Sequence, residues 1–184
     1  MRLIPAAEAD YPAIVQLANL AYRGDGKGSA PSWNVESGVL AGQRLDVSLL
    51  REELAAKPRA HLLTFREAPG DELQGMVWLD PQLGRGPDQT WYLGLLAVRP
   101  ELQMRGLGHR LLAAAEDYAR ERGARRIRMT VISLRTALIA WYERRGYRLT
   151  GETEPFPYGD ERFGRPLRDD LYFVILEKEI EFPR

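Results

Sequence analysis

Two short stretches of the chain carry residue types and spacings that could do chemistry. The first runs Leu95-Leu96-Ala97-Val98-Arg99-Pro100 and continues as Gln103-Met104-Arg105-Gly106-Leu107-Gly108. It reads as a strand that ends at a proline, a glycine-bearing turn, and a helix whose first N–H groups point back at that turn. A helix start carries about half a positive charge and unsatisfied donors. Glycines let a phosphate come close to the backbone, so the chemistry on offer is anion binding. Taken alone, a Gly-x-Gly is as readily a turn in which glycine only permits the backbone geometry. A dinucleotide fingerprint or a Walker loop fits worse, because the third glycine of the one and the Gly-Lys-Ser/Thr of the other are missing. His109, in the first helical turn, receives no catalytic role.

The second stretch, Leu134-Arg135-Thr136-Ala137-Leu138-Ile139-Ala140-Trp141-Tyr142-Glu143-Arg144-Arg145-Gly146-Tyr147, reads as a helix with a tyrosine one turn before its end. Leu134, Leu138 and Tyr142 share a face, so spacing alone leaves Tyr142 open as a core residue.

Together the two stretches resemble the GNAT superfamily of N-acetyltransferases. Its signature is Gln/Arg-x-x-Gly-x-Gly/Ala after a strand ending in Ala-Val, followed by a helix end of the form Tyr-Glu-x-x-Gly-Tyr/Phe. The resemblance is strong over roughly residues 75–150 and implies transfer of an acetyl group from acetyl-CoA to an amine. It implies that backbone N–H groups from Gln103 through Gly108 (Gln103, Met104, Arg105, Gly106, Leu107, Gly108) hold the pyrophosphate of coenzyme A, with Arg110 at hand for a phosphate charge. It implies that the backbone of Leu96, Ala97 and Val98, on a strand that parts from its neighbour, binds the thioester oxygen and the pantetheine arm. The same residues are also plain buried strand positions, and the two roles are compatible. Tyr142 falls at the general-acid position. A phenol of pKa ~10 donating to the thiolate of a thiol of pKa ~8.5 costs about 2 kcal/mol in water, which alignment and loss of solvent offset. The chain departs from the pattern at two places. Arg135 stands where many members have Asn, and is kept as a cofactor contact. Tyr92 stands where some have a Glu base, so no base is assigned.

The rest of the chain must position these groups. Its 184 residues, 45% hydrophobic and 28% charged, suit one domain, residues 1–184, with a substantial core. Lys+Arg equals Asp+Glu at 26 each, which disfavours nucleic acid and anionic membranes as partners. With no cysteine and two histidines, disulfides, thiolate metal sites and a cysteine nucleophile are excluded, and no metal is expected. Met1-Arg2-Leu3-Ile4-Pro5 is no apolar signal segment, and no apolar run reaches the ~20 residues of a bilayer span. A cytoplasmic location is therefore expected.

Periodicity predicts a strand at Arg2–Ile4, then a helix capped by Asp10 with Ile14, Leu17, Ala18 and Ala21 inward. A glycine-rich loop from Arg23 to Gly38 follows, then a helix capped by Asp46 and stopped by Pro58. His61–Glu67 and Leu73–Asp80 form a hairpin, and Thr90–Val98 is a third strand. The signature helix presents Leu107, Leu111, Leu112, Ala115, Tyr118 and Ala119 on one face and stops at Gly123. A strand through Ile127, Met129 and Val131, the Tyr142 helix, a strand at Tyr147–Thr150, a long loop Gly151–Asp169 and a last strand to Ile180 complete the order. That order matches the acetyltransferase fold: an α/β chain with a mixed sheet of about seven strands and helices on both faces.

By the same resemblance the acceptor site draws on the first loop and the last hairpin. Trp33, Phe156 and Tyr158 could wall a cation, and Glu36 or Asp169 could pair with it; Glu161 is a weaker candidate. Arg44 could instead pair a carboxylate, favouring an amino-acid or peptide acceptor. These aromatics could equally pin loops onto the sheet. Dimerisation is compatible with the family. Two other readings stay open: a coenzyme A-binding module without catalysis, and transfer of a longer acyl group.

Overall fold

The computed structural model describes residues 1–24, 36, 38–82, 89–160, 162 and 164–180, without the side chain of Met104. Ile14, Leu17, Ala18 and Ala21 lie buried along α1 (Tyr11–Arg23). Asp10 precedes this helix without capping it. Its carboxylate instead accepts the Ala7 amide at 2.8 Å and pairs with Arg66 at 3.0 Å. Asp46 does cap α2 (Val47–Ala56), accepting the Leu49 amide at 2.8 Å. The helix ends two residues before Pro58, as expected where the next residue precedes a proline.

The strands are β1 (Ile4–Pro5), β2 (Leu40–Ala41), β3 (His61–Phe65), β4 (Gly75–Pro81), β5 (Thr90–Val98), β6 (Arg126–Ile132), β7 (Arg148–Pro155), β8 (Arg165–Pro166) and β9 (Tyr172–Glu179). Seven form one sheet in the order β1-β3-β4-β5-β6-β9-β7, antiparallel except for β5 beside β6. The remaining helices are α3 (Leu107–Glu121) and α4 (Thr136–Glu143). Alternate strand residues feed two cores. Leu63, Val77, Leu79, Trp91 and Leu93 pack with Leu111, Leu112 and Ala115 of α3, whereas Leu62, Met76 and Trp78 pack with α1 and Leu50 of α2. The sheet is thus covered on both faces, as the mixed fold requires.

Two expectations about the last third of the chain are corrected. The strand expected at Tyr147–Thr150 runs on to Pro155, through an irregularity against β9 that Gly151, at φ +83°, accommodates. Within the expected loop, β8 pairs with β2 as a separate ribbon, Leu40 opposite Pro166 and Ala41 opposite Arg165. Two-residue strands carry no periodicity, so nothing in the sequence marks them.

Two irregularities in β5 prepare the site. Residues on the α3 face are Trp91 and Leu93, then Leu96 and Val98; the spacing of three between Leu93 and Leu96 breaks the period of two. The register against β4 shifts there, from Trp78↔Gly94 to Met76↔Ala97. This is a bulge, and Leu95 occupies it at φ +45°, a conformation that L-residues adopt at a cost of roughly 1–2 kcal/mol. The second irregularity is a splay. β5 and β6 pair only at Thr90↔Arg126, Trp91↔Ile127 and Tyr92↔Arg128, while β6 stays paired with β9 as far as Ile132↔Phe173. Past Tyr92 the two parallel strands diverge into a wedge at their carboxyl ends, where open α/β sheets place ligands.

His61 at the start of β3 stacks on Trp91 with centroids 5.3 Å apart, its Nδ1 3.1 Å from the Tyr118 hydroxyl. Burial, then the Arg122 guanidinium, hold its pKa below the ordinary value against the pull of Asp80. A lowered folded pKa favours the neutral ring, so this contribution to stability is whole above about pH 6.5 and is lost as pH falls through the folded pKa. Wild type is therefore expected to lose more Tm than His61→Gln between about pH 7 and pH 5. Parallel melting curves across that range would contradict it.

Candidate active site

The wedge opens into two cavities. The larger, about 640 Å³, is walled by Tyr22 of α1, Tyr92 of β5, Arg128 and Thr130 of β6, and Phe156 after β7. The smaller, about 280 Å³, lies between the carboxyl end of β5 and the starts of α3 and the end of α4, against Val98, Gln103, Gly106, Gly108, Trp141 and Arg145. Leu96, Leu138 and Tyr142 belong to both walls. These three side chains form the partition between the cavities.

The turn after β5 is built as its sequence suggests. A short 3-10 segment, Pro100–Arg105, leads to Gly106 at φ +73°, from which α3 departs. Arg110 N–H donates to the Gly106 carbonyl at 3.2 Å, so the helix's first N–H groups lie ahead of its own acceptors. Gln103 Nε2 donates to the Val98 carbonyl at 3.1 Å and ties the turn to the strand end. A Cβ at Gly106 would meet no protein atom within 4 Å, and one at Gly108 would touch only Trp141 at 3.7 Å. Gly106 is therefore required by its backbone conformation, and Gly108 leaves open space in front of the helix.

Tyr142 is 6% exposed, its ring edge-on to Trp141 and Tyr147. Among the described residues no group hydrogen-bonds its hydroxyl. Burial, then the neighbouring Tyr22 and Tyr92, raise its pKa well above the ordinary tyrosine value, against Arg135 and Arg145. Tyr22 donates to the Leu96 carbonyl at 3.4 Å, and burial lifts its pKa to about 12 although Arg44 opposes the shift. The Tyr92 hydroxyl lies 3.0 Å from Thr130 Oγ1, at the last rung before the strands part. Burial raises its pKa as well. Three protonated phenols therefore surround the junction at neutral pH.

The structure gathers some expected site residues and disperses others. Leu96, Val98, Gln103, Gly106, Gly108 and Tyr142 meet at the smaller cavity. Ala97 is buried on the α1 face and Leu107 in the α3 core, so only their backbones can serve a ligand. Arg105 and Arg110 are exposed and line neither cavity; Met104 lies in the turn. Arg135, expected beside the cofactor, stands in the larger cavity 3.7 Å from Glu36. Glu36 also pairs with Arg23 at 2.7 Å, so two guanidiniums already share its carboxylate. Arg44 lies over the Tyr22 ring at 5.5 Å, within the same cavity. Phe156 is buried in that wall, whereas Tyr158 is outside it, accepting the Leu171 amide at 2.7 Å and pinning the loop. Asp169 is exposed and outside both walls. Trp33 and Glu161 lie outside the described residues.

Tyr22, Lys57, Asp80 and Arg128 also wall the larger cavity, and sequence reasoning did not single them out. They come from three different elements and one loop edge, with no shared motif. Lys57 pairs with Asp80 at 3.6 Å, and Arg128 with Glu177 at 2.8 Å and Glu152 at 2.9 Å. Among the described residues no cluster of three or more His, Asp or Glu side chains could hold a metal ion, and no helix is long and apolar enough to cross a membrane.

Known proteins share this fold. The ribosomal-protein-alanine N-acetyltransferase of Brucella melitensis superposes with a TM-score of 0.66 at 22% identity, over 98% of this chain and 100% of its own. The yncA protein of Salmonella typhimurium, solved with its cofactor acetyl-CoA, gives 0.64 at 21% identity, over 100% and 96%. An N-acetyltransferase of Staphylococcus aureus gives 0.66 at 16% identity, over 98% of each chain. No curated protein sequence matches the chain. At these identities the superpositions establish the fold, and the sequence itself supplies the family, because the model of the acetyltransferase (GNAT) family matches residues 21–147. The chain belongs to that family, whose members use acetyl-CoA to acetylate an amine nitrogen.

Proposed function

We propose that residues 1–184 act as one acetyltransferase domain, that the smaller cavity takes acetyl-CoA, and that the larger takes the amine. The acetyl group then crosses at Tyr142 by direct attack within a ternary complex. The observation that carries this reading is the partition: Leu96, Leu138 and Tyr142 are the side chains common to both cavities. No other described residue borders both cavities, so this is where a ligand in one would meet a ligand in the other.

Acetyl-CoA supplies the thioester carbonyl. The chain's own groups do the rest. The α3 start and the Gly106 turn face the smaller cavity with positively polarised N–H groups suited to a diphosphate. Past Tyr92 β5 is no longer paired with β6, and strand N–H groups alternate sides, which supports a role for N–H groups within Leu96, Ala97 and Val98 on the wedge side. Those N–H groups orient the thioester and donate to its oxygen. The amine nitrogen bonds to the carbonyl carbon as the carbon–sulfur bond breaks. The Tyr142 phenol gives its proton to the departing sulfur. Tyr92 is itself protonated and hydrogen-bonded, so the amine's proton leaves through water in the larger cavity.

Among the described residues, five cations (Arg44, Lys57, Arg128, Arg135, Arg162) and four carboxylates (Glu36, Asp80, Glu154, Asp160) line the acceptor cavity. Arg162 forms an ion pair with Asp160, and Glu154 lies 3.9 Å from Arg128, so each carboxylate has a cationic neighbour. A lining this rich in guanidinium and ammonium groups supports an acceptor that brings its own carboxylate beside its amine, an amino acid or a peptide, with Arg44 in the cavity wall within reach of that carboxylate. The test is release of free thiol from acetyl-CoA against a panel of amino acids, N-terminal peptides (alanine-initiated ones included) and simple amines. Carboxylate-bearing acceptors should show the higher kcat/KM, and initial-rate lines for the two substrates should intersect. Preference for simple cationic amines would reject the acceptor assignment, and parallel lines would reject the ternary complex.

A further inference from the structure

Arg145, at the end of α4, stands in the wall of the smaller cavity with Gly106, Gly108 and His109. Its guanidinium lies face-on over Trp141, Cζ 3.6 Å from the ring centroid, and Nη1 donates to the Trp141 carbonyl at 2.7 Å. Those two contacts fix the plane of the group. They use one of its five N–H donors. Nε is buried without a hydrogen-bond partner among the described residues, and no described group accepts from Nη2. A guanidinium whose only task was to cap the end of α4 would need the one bond to the carbonyl and could leave its other donors in water. Here it is instead partly desolvated, with Arg144 beside it adding positive charge. Nε, shielded by the protein, is beyond a ligand's reach as well, whereas Nη2, also without an acceptor among the described residues, is not buried and can meet one. A pre-set planar fork with spare donors matches a phosphate.

We propose that Arg145, held flat by Trp141, is a phosphate-binding side chain for coenzyme A, acting across the cavity from the Gly106 turn. This rests on the reading of the smaller cavity as the acetyl-CoA site. It assigns the recognition of a phosphate to a side chain just past α4, whereas Arg105 and Arg110 of the signature stretch line neither cavity.

The test is calorimetric titration of the full chain as wild type, Arg145→Gln and Arg145→Lys with coenzyme A, 3′-dephospho-coenzyme A and pantetheine. Arg145→Gln is expected to weaken coenzyme A by about tenfold or more and to leave pantetheine, which has no phosphate of the nucleotide part, unchanged. Arg145→Lys should recover part of the loss, because it restores charge without the planar fork. A loss shared by the dephospho form locates the contact at the diphosphate, and a loss confined to coenzyme A locates it at the 3′-phosphate; either upholds the proposal. Unchanged coenzyme A affinity in Arg145→Gln overturns it. So does an equal loss for pantetheine, which would mark a merely structural role for the stack. A wild-type chain that binds none of the three fails differently, since it removes the acetyl-CoA site from this cavity altogether.

Discussion

Tyr142→Phe is expected to lower kcat by about a hundredfold or more while acetyl-CoA affinity stays within about twofold. The hydroxyl is the sole change, the ring keeps its edge contacts with Trp141 and Tyr147, and the site is buried enough that no water-sized rearrangement is forced. Because no described group hydrogen-bonds the hydroxyl, its removal strands no partner. The effect on stability should therefore be small and the effect on turnover large, a split that a core tyrosine would not produce. The pH profile gives a second reading. Burial raises the phenol's pKa, so the acid form persists well into the alkaline range. Loss of this proton should cause no fall in kcat below about pH 10. An intact kcat in the phenylalanine variant would leave the chain with a different proton donor. Intact binding with no turnover in either form would favour a module that holds coenzyme A without using it.

Glu116→Ala should be the most damaging single change away from the site. Glu116 is 8% exposed in the middle of α3. Its carboxylate accepts from the Tyr147 hydroxyl at 3.0 Å and the Lys178 ammonium at 2.6 Å. It thereby joins α3 to the chain leaving α4 and to β9. Truncation removes the acceptor for both. Tyr147 is 1% exposed and cannot turn to water, whereas Lys178, a quarter exposed, can do so in part. With that discount the cost is about 2–3 kcal/mol, or a fall in Tm of roughly 4–12 °C for a chain of this size. Glu116→Gln, which keeps an acceptor for the phenol, should lose less. A Tm for Glu116→Ala within about 2 °C of wild type would show the network to be energetically idle.

The signature stretch was legible because its features are local. Gly106 needs a positive φ, Pro100 ends a strand, and Leu111, Leu112 and Ala115 repeat at helical spacing; each is a property of a few neighbouring residues. The helix cap at Asp46 was legible for the same reason, and Asp10 shows the limit of that logic. Its carboxylate was drawn away by Arg66, fifty-six positions along the chain. The bulge at Leu95 left no mark in the composition of Leu93–Val98. A strand buried on both faces is apolar throughout, so a slip from period two to period three is silent in its residues.

The acceptor side was the least legible. Tyr22, Lys57, Asp80 and Arg128 converge on one cavity from α1, the end of α2, β4 and β6, and no spacing along the chain relates them. Glu36 looked available for a cation until Arg23 and Arg135 were found on its two oxygens. Arg145 follows Arg144 with nothing in the sequence to distinguish the two, and only its stacking on Trp141 sets it apart. By itself the sequence determined the longer elements, the glycine turn ahead of α3 and the helix that carries Tyr142, and through its two motifs it resembled the family, because these depend on backbone conformation and residue pattern over short spans. The tertiary structure decided which side chains share a cavity, which charges are already paired and where the strands part, because those depend on long-range packing and strand register that no local pattern encodes.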